Sequence, residues 1–166
     1  HVGMSTFQVA LADFFAQRSG DAAFEGSPTK MYKAMACHAE LRSKVYAHGV
    51  PYALRGMIWL SWSGALDSRD MAPTHFDELV ARLPEQFGAA LTDPRSEVNQ
   101  DVHRTLASHP LFDCGSGPGA THLRLILFAY LAHSGRRYHQ CFSFIAAALL
   151  LNVDNPQDAF WLFVSL

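Results

Sequence analysis

THLRLILFAYL, residues 121–131, reads as successive turns of a buried helix. Leu123, Ile126, Leu127, Tyr130 and Leu131 fall at i, i+3, i+4, i+7 and i+8, which puts five apolar side chains on one face. Thr121 stands where a cap belongs. Working outward from it, helical spacing recurs along the chain and strand-like alternation is almost absent. Downstream, a helix following Gly135 is expected to contain residues 138–152. Asn155-Pro156 has cap-then-first-turn chemistry for a last helix, DAFWLFVSL. Upstream, residues 113–119 (DCGSGPG) read as a flexible connector, and VNQDVHRTLASHPLF, residues 98–112, as a short helix stopped by Ser108-His109-Pro110. GAALTDPRS, residues 88–96, is expected to be a loop. Further back, Thr74 can cap a helix over 75–83 that Pro84 limits, and another covers 52–64. A helix over 30–46 is stopped by Gly49 and Pro51. Gly20 to Thr29 is loop-like, and Ser5-Thr6 can cap TFQVALADFFAQ, residues 6–17. The fold class is therefore all-α.

The 166 residues suffice for one domain with a sizeable core, and 49% hydrophobic against 17% charged residues makes it a globular chain. A net charge of −2 gives no electrostatic case for nucleic acid. Lys30, Lys33 and Lys44 are the only lysines. Cys37, Cys114 and Cys141 are odd in number and widely spaced, which points to free thiols in a reducing compartment. The longest apolar run, CFSFIAAALLLNV over 141–153, falls short of the roughly 20 residues a bilayer needs, so no transmembrane segment is expected. His1 to Met4 reads as a cloning remnant. The chain stops within the apolar run Trp161 to Leu166, which is expected to need something to bury against. The natural protein is accordingly expected to continue.

Nine histidines raise a metal hypothesis that their spacing does not support. There is no HExxH, and no Cys pair stands near a His pair. Gly115 to Thr121 could cradle a phosphate at a helix start, but it lacks both the lysine and the preceding strand of a phosphate loop. Nothing in the sequence sets Cys114 or Cys141 beside a particular histidine. Three stretches remain. Arg55 and Trp59 lie at i, i+4, where a guanidinium can stack on an indole. Val98, Asp101 and Arg104 lie three apart on one helical side. Tyr138-His139-Gln140 precedes an apolar run.

In this order the three stretches resemble the TBC domain, the catalytic module of GTPase-activating proteins for Rab-type small GTPases. The family signatures are R-x-x-x-W, I-x-x-D-x-x-R and Y-x-Q. They are matched by Arg55…Trp59, by Val98…Asp101…Arg104 with Val for Ile, and by Tyr138…Gln140. GVPYALRGMIW resembles the family's entry helix, and Asp101 to Phe112 resembles its D-x-x-R-T…H-x-x-F stretch. The departures are Arg137 and Cys141, where the family usually has glycines around Y-x-Q, and His122 in place of an asparagine.

The resemblance covers residues 41–166. It implies a multi-helix TBC-type domain truncated in its C-terminal part, with residues 5–40 an N-terminal helical extension and the start of the domain. It implies a GTPase-activating protein for a Rab-type small GTPase in its GTP-bound form, active in vesicle trafficking. Arg104 would be an arginine finger and Gln140 a glutamine finger. The chain would be an activator with no turnover of its own and no cofactor, since GTP and Mg²⁺ belong to the partner. It would be cytoplasmic and peripheral at membranes through that partner.

Asp101 could orient either Arg104 or Arg55. Tyr138 would either steady the fingers or be a plain core tyrosine. Trp59 would be core, with Arg55 stacked or paired against it. Two other readings stand beside the activator: a TBC-like module that binds a GTPase without accelerating it, and a helical scaffold.

Overall fold

The computed structural model describes residues 39–166, and all of its regular elements in that range are helical. Eight α-helices are described: α1 (Ala39–His48), α2 (Arg55–Ser63), α3 (Ala65–Met71), α4 (His75–Phe87), α5 (Glu97–Arg104), α6 (Pro118–Ser134), α7 (Cys141–Leu150) and α8 (Pro156–Val164). The predicted helix at 6–17, the loop at 20–29, the start of the 30–46 helix and Cys37 lie outside the described residues.

α6 is the axis of the core. Its predicted stripe is buried: Leu123, Ile126 and Leu127 are fully inaccessible and Tyr130 nearly so. It packs on α4, α5, α7 and α8. Removing side chains of this size from water stabilises by roughly 1.5–3 kcal/mol each. α8 buries Ala159 to Phe163 against α3, α6 and α7, whereas Leu166, at the end of the same apolar run, is exposed. No helix among the described residues is long and apolar enough to cross a membrane.

Several boundaries differ from those the residues suggested. α6 starts at Pro118 with Gly117 at the cap, so Thr121 lies inside the helix. Proline's missing donor and preset φ suit the first helical position better than a threonine suits the cap.

The 113–119 connector is bonded back onto the turn before it. The amides of Gly115 and Gly117 donate to the Phe112 carbonyl at 2.9 and 3.2 Å, and that of Gly119 to the Leu111 carbonyl at 2.8 Å. A Cβ at Gly117 would lie 2.7 Å from the Leu111 carbonyl carbon, so the sequence requires glycine there.

α5 ends at Arg104, before the His109-Pro110 break. Thr105 turns extended and Leu106 takes φ +48°. α4 runs through Pro84 to Phe87, because an exposed proline in the last turn forfeits only one bond. Thr74 stands at its cap position but spends its hydroxyl on Glu78 Oε1 (2.8 Å). The expected 88–96 loop contains a 3-10 turn, Gly88–Leu91. The expected 52–64 helix opens as a 3-10 turn, and Gly64 at φ +83° separates it from α3, which was not anticipated.

The most consequential difference lies at 138–140. α7 begins at Cys141, so Tyr138 and His139 lie on the non-helical approach and Gln140 sits at the helix's N-terminal cap position.

Candidate functional site

Ser96 starts α5 by accepting the Asn99 amide (3.3 Å). Val98 and Val102, one turn apart, are buried and fasten the helix to the core. That registration carries Asp101 inward and leaves Arg104 at the rim: the Asp101 side chain is 7% exposed and that of Arg104 61%.

A buried carboxylate needs partners, and Asp101 has two. Its Oδ1 accepts from Arg104 Nη2, and its Oδ2 accepts the Tyr138 hydroxyl at 2.8 Å. Arg104, not Arg55, is thus the guanidinium that Asp101 holds. Burial, and then the hydrogen bond to Asp101, push the Tyr138 phenol well above its ordinary pKa, so it stays a neutral donor.

The backbones are tied as well. Thr105 Oγ1 donates to the Asp101 carbonyl at 2.6 Å and lies 2.9 Å from Ser143 Oγ, which donates to the Gln140 carbonyl at 2.9 Å. Asn99 Nδ2 donates to the carbonyls of Ala90, Leu91 and Asp93, and its Oδ1 accepts Arg124 Nε at 2.7 Å. Asn99, Asp101, Thr105 and Ser143 are the buried polar side chains of the described residues; Asp101, Thr105 and Ser143 belong to the network that ties α5 to the start of α7, and Asn99 ties α5 to the 90–93 turn and to Arg124.

The result is a cleft of about 290 Å³ lined by Glu97, Gln100, Asp101, Arg104, Tyr138, His139 and Gln140. Arg104 from the end of α5 and Gln140 from the start of α7, thirty-six positions apart by their numbers, open onto the same space. A guanidinium offers a planar fork to anionic oxygens, and a carboxamide can both donate to and accept from a water. Arg137 and Cys141 are exposed, and neither is among the residues with positive φ, so this backbone needs no glycine at either place.

Arg55 and Trp59 are not brought to the cleft. Arg55 Nε donates to the Val50 carbonyl (3.3 Å), and its guanidinium lies 5.6 Å over the Tyr52 ring, not on Trp59. Tyr52 in turn donates to the Leu151 carbonyl, just past α7. Gln140 is at the other end of α7, about 15 Å away along a ten-residue helix. Trp59 is core-packed and borders an apolar groove with Trp62, Leu149 and Leu162.

Asn99, Thr105 and Ser143 were not anticipated. Ser143 left one signal, a lone polar residue in an apolar helix. Asn99 left none, since its partners come from a different connector. Among the described residues no group of three His, Cys, Asp or Glu could hold a metal. In the glycine-rich turn, the amides a phosphate would need are bonded to protein carbonyls.

The family model of the Rab-GTPase-TBC domain matches residues 52–166. A TBC domain-containing protein of Schizosaccharomyces pombe is 34% identical over 120 residues, covering 72% of this chain and 15% of the relative. Small G protein signaling modulator 3 of Bos taurus is 32% identical over 124 residues, covering 74% of this chain and 16% of the relative. The chain thus spans less than a fifth of the length of these relatives. No solved structure matches it.

Proposed function

The chain belongs to the Rab-GTPase-TBC domain family, and from that premise we propose that it accelerates GTP hydrolysis by a Rab-type small GTPase, acting in trans. The observation that carries this reading is the shared cleft, where a largely exposed guanidinium and an exposed carboxamide face one space from separate elements.

Hydrolysis by a small GTPase is slow because charge builds on the phosphate oxygens and the attacking water is poorly held. Arg104 reaches from the rim toward that charge, with Asp101 holding one terminal nitrogen of its guanidinium. A guanidinium delivered this way is worth roughly 10³ to 10⁵ in rate, or about 4–7 kcal/mol. Gln140 stands across the cleft, where its carboxamide holds and orients the water. Tyr138 donates to Asp101 and so acts on Arg104 through it, as a positioning residue. Arg55 and Trp59 support the fold at the far end of α7. GTP and Mg²⁺ are bound by the GTPase, and this chain supplies side chains only.

Single-turnover hydrolysis with a panel of Rab-type GTPases in their GTP-bound form tests the reading. At least one GTPase is accelerated by the wild type, and Arg104→Ala and Gln140→Ala each lower that acceleration at least tenfold with the fold unchanged. Acceleration equal to wild type in both variants would remove the assignment.

A further inference from the structure

On the other face of α5 lies a second cleft, of about 650 Å³, whose walls include Leu91, Pro94, Gln100, His103, Arg104 and Arg124. Gln100 and Arg104 line both clefts, so they form the ridge between them. The chain carries 15 acidic and 13 basic residues, yet no carboxylate is among the described residues lining this cleft. Arg124 is half-buried in its wall and has no ion pair among the described residues. Arg69, Arg95 and Arg104 each lie within 4.0 Å of a carboxylate, and the half-buried Arg55, which does not, lies over the Tyr52 ring.

Arg124 has its Nε on Asn99 Oδ1, a neutral acceptor locked by three carbonyls. That bond aims the guanidinium without neutralising it, and its terminal nitrogens have no hydrogen-bond partner among the described residues. A half-buried guanidinium with open terminal donors in a cleft free of carboxylates offers charge-assisted hydrogen bonds to an anion.

We propose that this cleft receives a carboxylate side chain of the bound GTPase, held by the terminal nitrogens of Arg124 with His103 beside it. The proposal rests on the functional reading above. A GTPase whose phosphates reach Arg104 on the ridge must overlie both of its sides. The phosphate charge falls to Arg104, which leaves the Arg124 side for an acidic residue of the protein surface. Arg124 therefore acts in docking and partner choice, while Arg104 and Gln140 act in the chemical step.

Activation kinetics of the most responsive GTP-loaded GTPase, measured at low and at physiological salt, separate these roles. Arg124→Gln can still donate to Asn99 but carries no charge. It raises the KM for the GTPase about tenfold, leaves kcat within about twofold, and flattens the rise of KM with salt. Arg124→Glu raises KM further, and Arg124→Lys recovers part of the loss. A purely structural Arg124 would leave the salt dependence of Arg124→Gln equal to wild type. That result, or a KM for Arg124→Gln equal to wild type while activation still depends on Arg104, overturns this proposal alone. A wild type that accelerates no GTPase overturns both. If inorganic phosphate competes with the GTPase in wild type and Arg124→Gln alike, the anion is held elsewhere and the proposal also falls.

Discussion

Asp101 uses its two oxygens for two different purposes. One holds a guanidinium that is mostly in solvent; the other accepts from a half-buried phenol. An ion pair so exposed on one side contributes at most about 1 kcal/mol to stability, so its value lies in orientation. The phenol bond is the more sheltered, and losing it leaves a buried carboxylate oxygen without its partner. Tyr138→Phe is accordingly expected to lower unfolding free energy by roughly 1–3 kcal/mol in urea titration. It is also expected to lower kcat several-fold while leaving the KM for the GTPase near wild type. A change in KM alone would mean that Tyr138 belongs to the docking surface instead. At this scale the closeness of Asp101 and Arg104 was legible, because residues three apart on a helix are neighbours, but Arg55 stood as an open alternative for the carboxylate. That Arg104 and not Arg55 is held, and that Tyr138 is a second partner, was not legible, because thirty-seven positions of chain separate Tyr138 from Asp101 and only tertiary packing brings them together.

Elements meet here through close backbone approach as much as through side chains. Gly56 in α2 faces the Asn152 carbonyl, and a Cβ there would lie 2.8 Å from Val153 Cγ1. Since carbonyl and helix are both backbone, relief requires one element to move. Gly56→Ala should therefore destabilise by about 1–3 kcal/mol, read as a lower urea midpoint with an unchanged slope. An unaltered midpoint would show that α2 is not seated on the turn after α7.

The long helix α6 was readable because five apolar residues repeat over nine positions, a local property. Its start was not, since Thr121 and Pro118 both offer start signals and only the packing of Gly117 on Leu111 decides between them. The same holds for α7. Its apolar run is visible in the sequence, but nothing local says that the helix waits until Cys141 and leaves Gln140 at its head.

Across the whole molecule, the site is an edge feature of a core organised around α6, and a second polar contact ties that core together on another side. His75 Nε2 lies 2.9 Å from His133 Nδ1, joining α4 to α6 beside Trp161. Burial, and then the nearby His75, hold His133 below the ordinary 6.5. The unfolded chain therefore binds more protons than the folded one just below pH 6.5, and stability rises with pH through that window. The expected outcome is a higher Tm at neutral pH than at mildly acidic pH, with the difference reduced in His133→Gln. An identical pH profile in that variant would contradict the coupling.

The central claim is that two side chains from separate helices enter another protein's nucleotide pocket together. Capture of a Rab-type GTPase loaded with GDP and a planar fluoride mimic of the transferring phosphoryl group tests this most directly. A complex is expected to form with the mimic and not with GDP alone, and to be lost in Arg104→Ala and weakened in Gln140→Ala. Equal capture with and without the mimic, or full capture by Arg104→Ala, would contradict it.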